Sequence, residues 1–287
     1  MKNIDKVANA VLLMNKQLRE ELLVNDGTVQ AKKLWENTYI KKQIDKRENG
    51  GTFTIQDHIR AMVYSMLTSG ASWNRVEPSI DVETGRVLLI DEIFYQYDVD
   101  TLLNTDPMDL VERVKQHKLG TQYIKNQMVA LIGTNIGKLQ SLEKEYGSID
   151  NFYQTFIDTD PTLKTLIKTL SAEGKPHKYV QLDVALNAEY LRNVGYDIAK
   201  PDRHICRILG GELLRCHNNA EVPKYEAFDI VAEIATHLHK HTAEVDYILW
   251  SYCADGYGSI CTKDKANHNR CVANDICNYK ITGVDGK

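Results

Sequence analysis

Apolar residues recur at helical spacing through most of the chain, at residues 4–23, 55–67, 108–114, 126–142, 149–156, 179–194, 204–214 and 225–250. A face that repeats every three to four residues can be buried along one side only if the segment is a helix, so the pattern predicts a mostly α-helical protein. Helix starts are marked by Thr54 ahead of Ile-Gln-Asp-His, by Asp106 with Pro107, and by Ser148 with Asp150. Glycines mark stops at Gly195, Gly210-Gly211 and Gly256 with Gly258. One short β-hairpin is expected at residues 80–93, with Glu83-Thr84-Gly85-Arg86 as its turn.

The 287 residues, 43% of them hydrophobic, suffice for one or two compact domains. A short apolar run at residues 8–14 is flanked by Lys6 and Lys16, which supports neither a signal peptide nor a membrane span. A cytoplasmic protein without membrane contact is therefore expected. The formal net charge of −4 is not that of a broadly basic nucleic-acid binder. A local basic strip remains available in Lys115, Lys118, Lys125, Lys175, Lys178, Arg192, Lys200, Arg203 and Arg207.

Four of the six cysteines crowd toward the end of the chain. Cys261 is followed after nine residues by Cys271 and after five more by Cys277, with His268 between the first two and Cys253 eight residues ahead of Cys261. Thiolates and an imidazole packed this closely can meet at one metal centre without long-range folding, and in a reducing compartment ligation is favoured over disulfides. A metal or a cluster, zinc, or ordinary buried thiols are all compatible with the spacing. Upstream, Lys200-Pro201-Asp202-Arg203-His204 places a carboxylate at the mouth of a helix. By itself that is an N-cap.

Together these two segments resemble the helix-hairpin-helix DNA glycosylase superfamily. Residues 200–209 are similar to its Val-Asp-Thr-His element. The end of the chain resembles the cluster loop of the endonuclease III-like iron-sulfur branch. That loop reads Cys, six residues, Cys, two residues, Cys, five residues, Cys; its first, third and fourth positions fall on Cys261, Cys271 and Cys277, and its second on His268. More weakly, residues 59–72 look like the family's early helix, which ends in a polar tip that fills the place of the displaced base. Here that tip holds Ser69 and Gly70, with Trp73 just beyond. The family hairpin, Leu-Pro-Gly-Val-Gly-x-Lys, corresponds to Ala172-Glu173-Gly174-Lys175-Pro176-His177-Lys178.

The resemblance implies two helical lobes: residues 54–198 as a helical-barrel lobe with the hairpin, and residues 199–287 as a C-terminal lobe with the catalytic Asp and a [4Fe-4S] loop. Residues 1–53 are then an N-terminal helical segment packing with the C-terminal lobe. It implies a monomer acting on double-stranded DNA that carries a damaged or mispaired base. Asp202 is the implied catalytic carboxylate, and Lys178 the implied amine of a lyase step. The family places that Lys nearer its Asp, a difference that an insertion around residues 193–197 would reconcile. Gly174, Lys175, His177, Ser69, Gly70, Trp73, Arg203 and Arg270 are the implied DNA contacts. Cluster ligands would be Cys261, Cys271 and Cys277, with either His268 or Cys253 as the fourth. Adenine-removing relatives carry a Glu where this chain has Tyr64. Competing readings are a non-catalytic DNA-binding protein of the same fold and a zinc-stapled helical domain.

Overall fold

The computed structural model describes residues 3–22, 24–25, 28–68, 75–263 and 266–278. Its α-helices are, in chain order, α1 (Ile4–Gln17), α2 (Tyr39–Glu48), α3 (Ile55–Thr68), α4 (Leu88–Ile93), α5 (Val99–Leu103), α6 (Pro107–Gln116) and α7 (Ile124–Ala130). They continue as α8 (Ile136–Tyr146), α9 (Ile149–Ile157), α10 (Lys164–Ser171), α11 (Val184–Asn193), α12 (Arg203–Ile208), α13 (Lys224–Leu238) and α14 (Thr242–Cys253). Among the described residues, strand pairing is confined to a two-residue antiparallel contact, Val24–Asn25 with Thr28–Val29, and an isolated bridge between Ile80 and Val87. No helix among them is long and apolar enough to cross a membrane.

The hairpin expected at residues 80–93 is thus reduced to one bridge around its turn, where the Asp81 N–H donates to the Arg86 carbonyl at 2.9 Å. Beyond Val87 the buried positions are Ile90, Asp91, Ile93 and Phe94. That spacing suits a helix face and not a strand, which would bury every second residue.

Two compact units form: Lys42–Tyr196 is one, and Met1–Lys41 together with Asp197–Lys287 is the other. Within the first, α3 packs on α11 and α8, and α10 packs on α9 and α11. A reciprocal cap starts α3. The Asp57 N–H donates to Thr54 Oγ1 at 3.3 Å and the Thr54 N–H to Asp57 Oδ2 at 3.1 Å. The caps expected at Asp106 and Ser148 are also present, accepting from the N–H groups of Met108 and Asn151. Tyr64, on the buried face of α3, donates its hydroxyl to the buried Asp91, which also takes the Tyr97 hydroxyl and the Arg86 guanidinium.

In the second unit α1 packs on α13 and α14, and α12 packs on α14. The predicted helix over 225–250 is two helices, because His239 adopts a left-handed conformation (φ 52°) and turns the chain. The predicted helix over 204–214 stops at Ile208. Just after it, a side chain at Gly210 would put its Cβ 1.8 Å from the Ala220 carbonyl oxygen, so backbone lies where a continuing helix would carry side chains.

Unit Lys42–Tyr196 encloses a row of hydrogen-bonded polar side chains. His58 Nδ1 lies 2.6 Å from the Tyr190 hydroxyl, which lies 2.7 Å from that of Tyr153, itself 2.7 Å from that of Tyr179. Asp150 lies 3.8 Å from His58 Nε2, and Arg47, Lys46 and Asp57 complete the charged groups around the ring. Burial dominates, and the His58 pKa falls from 6.5 to about 4. Below pH 6.5 the unfolded chain binds a proton that the folded chain excludes until about pH 4. Stability therefore falls through that window, by about 3 kcal/mol for this one group. His58→Gln should flatten the difference in melting temperature between pH 7 and pH 4.5 relative to the parent protein. An unchanged difference would contradict the assignment.

Candidate functional site

Residues 197–202 lead into α12 as an irregular segment fixed to α14 by carboxylates running in both directions. Asp197 accepts from the backbone N–H groups of Thr242 at 3.0 Å and Ala243 at 2.8 Å, capping α14 from a distant part of the chain. In return Asp246, buried on α14, accepts from the Lys200 N–H at 2.8 Å. These bonds set where Asp202 emerges. Its Oδ1 accepts from the N–H groups of His204 at 2.8 Å and Ile205 at 3.2 Å, so the expected N-cap is formed. Among the described residues no donor reaches Oδ2, and the side chain is only half-buried. One oxygen therefore holds the helix while the other is available for chemistry. His204, half-buried beside it, has its pKa lowered, by burial first and against the pull of Asp202.

One turn into α12, Arg207 reaches the cysteine segment. Its Nη1 lies 3.7 Å from Cys261 Sγ, and its Nη2 donates to the Cys261 carbonyl. Tyr252 organises the same segment. Its carbonyl accepts from the N–H groups of Ile260 and Cys261, and its hydroxyl accepts from the Val272 N–H at 3.0 Å and donates to Gln17 at 2.8 Å. The Gln17 amide in turn donates to the Arg270 carbonyl at 2.9 Å. A helix from the start of the chain thus braces the loop at its end.

The thiols of Cys253 and Cys261 lie near enough to influence each other's ionisation. That interaction, reinforced by Arg207, lowers Cys261 to about 6 and raises Cys253, which is also buried. Cys271 is raised by burial first, and further by the nearby Cys261 and Cys277. Cys253, Cys261, Cys271 and Cys277 therefore lie within electrostatic reach of one another in sequence. His268 is placed by its backbone, whose carbonyl accepts from the Cys271 N–H and from the Asn274 side chain. Among the described residues no three His, Cys, Asp or Glu side chains are gathered closely enough to hold a single metal ion. Cys206 and Cys216 turn instead toward the carbonyls of Pro201 and Leu214.

In the other unit the hairpin between α10 and α11 spans residues 172–183. Gly174 has φ 75° and open space around it, and Lys175 is exposed. The turn is braced from a π-helical stretch at Leu131–Asn135 and from α8. Asn135 donates to the Val180 carbonyl and accepts from its N–H, and Lys138 Nζ donates to the carbonyls of Pro176 and Lys178. The His177 ring lies tilted against Phe152, with 4.7 Å between centroids. Lys178 lies in the turn, its amine paired with Glu173, and not at a helix start. The helix begins only at Val184, capped by Asp183. Residues 193–197 make a tight turn at Gly195 (φ 83°), where an added Cβ would sit 2.4 Å from the Gln43 carbonyl oxygen.

Some of the basic-strip candidates are engaged within the protein. Arg192 is buried with Glu189, Lys200 is buried, and Arg207 is held at Cys261, whereas Arg203 and Arg270 are exposed. Ser69, Gly70 and Trp73 lie outside the described residues. The brace of Asn135 and Lys138 went unforeseen, since neither residue belongs to a motif.

No protein-family model matches the chain, and no curated protein matches it. Among solved structures it is similar to the 8-oxoguanine glycosylase/lyase of Methanocaldococcus jannaschii in complex with 15mer DNA containing 8-oxoguanine, at 16% identity and a TM-score of 0.46, covering 83% of this chain and 96% of that one.

The two roles of Asp202 can be separated. Asp202→Ala removes the cap and should cost about 1 kcal/mol, whereas Asp202→Asn, which still accepts the two N–H bonds, should melt close to the parent protein. Equal losses for the two variants would show that charge, and not the cap, sustains α12.

Proposed function

We propose that this chain is a DNA glycosylase, which swings a damaged or mispaired base out of the duplex and hydrolyses its glycosidic bond with Asp202 as the reacting carboxylate. The observation that carries this reading is the Asp202 side chain, fixed through Oδ1 at the mouth of a helix that α14 positions, with Oδ2 available. The target nucleotide must leave the stack, because its C1′ is out of reach inside a duplex. As the base departs, positive charge grows on the sugar. A preorganised carboxylate stabilises that charge and can accept a proton from the attacking water. Exposed Lys175, Arg203 and Arg270 and the open turn at Gly174 suit phosphate contacts.

Lys178 is not assigned the lyase step in this reading, because it sits in the turn ahead of α11 and contacts Glu173. The proposed product is an abasic site in an intact strand.

Both parts are tested together on duplexes carrying a panel of lesions. Wild type should release free base, and Asp202→Asn should lose about 10²–10³-fold in rate while still folding. Borohydride should trap no covalent adduct. Binding without Asp202-dependent release would leave the non-catalytic reading, and an adduct lost in Lys178→Ala would restore the lyase.

For the cofactor we propose a [4Fe-4S] cluster held by Cys253, Cys261, Cys271 and Cys277, with Cys253 replacing His268 as fourth ligand. Bound there, it would supply a rigid anionic anchor that the Arg207 guanidinium complements, and no chemical step on the base is routed through it. Iron content per chain measures this. Cys253→Ser should lose the iron and His268→Ala should keep it. The reverse pattern would make His268 the ligand, and stoichiometric zinc in place of iron would favour the zinc-stapled domain.

A further inference from the structure

Cys253 ends α14, and Cys261 lies after a short loop that folds straight back onto it. The N–H groups of Ile260 and Cys261 both donate to the carbonyl of Tyr252, at 3.0 and 3.1 Å, so the backbone beside Cys253 and the backbone of Cys261 run in contact. Their thiols interact. Two cysteines whose backbones run side by side in this way need little movement to join, because a disulfide requires nearby Cα atoms and converging Cβ vectors. Access to them is unequal. Cys253 is 1% exposed, whereas Cys261 is only partly covered.

We propose that Cys253 and Cys261 form a redox-responsive dithiol, which closes to a disulfide when the cysteine segment carries no cluster. Oxidation is by a low-molecular-weight disulfide such as oxidised glutathione. The Cys261 sulfur attacks one glutathione sulfur. The glutathione S–S bond breaks, one glutathione leaves with the proton from Cys261, and a mixed disulfide remains. Buried Cys253 then attacks Cys261 Sγ, the Cys253–Cys261 bond forms, and the second glutathione leaves with the proton from Cys253. Two electrons and two protons pass from the protein to the oxidant, which ends as two thiols.

Cys206, Cys216 and Cys271 have other neighbours. Cys206 and Cys216 face backbone carbonyls, and Cys271 contacts the Tyr252 hydroxyl. A disulfide at residues 253 and 261 would remove the Cys261 thiol from the Arg207 guanidinium, one turn along the helix whose first residue follows Asp202. It would also use two of the proposed cluster ligands, so oxidation and cluster loading exclude each other. The pairing itself does not rest on the glycosylase or iron-sulfur readings.

The test uses the full chain, stripped of metal by a chelator under reducing conditions and then equilibrated with reduced and oxidised glutathione. Free thiols are alkylated and the digest is read by mass spectrometry. The expected result is joint loss of alkylation at Cys253 and Cys261, with a cross-linked peptide lacking two hydrogens, while Cys206 and Cys216 remain alkylated. In Cys253→Ser the reaction should halt at a glutathione adduct on Cys261. A cross-link between Cys271 and Cys277, independent alkylation of Cys253 and Cys261, or no adduct on Cys261 in the variant would each overturn the proposal. Because the readout is a cross-link, a protein that proves to lack iron or base-release activity still gives an answer.

Discussion

The contact between Arg207 and Cys261 joins the two chemically distinctive parts of one unit. Arg207 lies on the short helix that Asp202 caps, and it donates to the Cys261 carbonyl while resting against its sulfur. A helix of six residues has little stability of its own, since nucleation is unfavourable and only a few backbone bonds reward it. Its placement comes from outside: the Asp202 cap at one end, Arg207 on the cysteine segment at the other, and the bond from Lys200 to Asp246 just ahead. The carboxylate and the thiols are therefore parts of one local structure. The cysteine segment thereby helps to hold the helix that Asp202 caps.

Much of this was legible in the sequence. The Pro-Asp-x-His segment announces its cap, because a short acid ahead of a helix has few other uses for its oxygens. The helical spacing of residues 55–67 and 149–156 reappears almost unchanged in α3 and α9. Cysteine spacing marked Cys261, Cys271 and Cys277 as a group, and they lie within electrostatic reach in sequence. What spacing could not separate was His268 from Cys253. The turn that brings Cys261 back beside the end of α14 is made by two backbone hydrogen bonds and does not depend on residue type.

The misses have physical causes as well. Residues 80–93 alternate well enough to suggest strands, but the buried Asp91 needs its donors from Tyr64, Tyr97 and Arg86, and a helix delivers it to them. Residues 225–250 read as one helix because nothing in the local pattern announces the left-handed turn at His239. The apolar period over residues 179–194 predicts a helix from Tyr179. The cap at Asp183 instead delays the helix and leaves those residues as turn. Basic residues were the least legible class: a guanidinium that binds phosphate and one that is buried against Glu189 look the same in sequence.

The central claim is that the free oxygen of Asp202 faces the positive charge that develops when a base departs. Binding to two abasic-site analogues in the same duplex tests this most directly, one with a cationic nitrogen in the sugar ring and one a neutral ring. The account predicts that the wild-type protein binds the cationic analogue more tightly, by about ten-fold or more, and that Asp202→Asn abolishes the preference while binding the neutral analogue as before. A preference that is absent in the wild type, or that survives in Asp202→Asn, would contradict it.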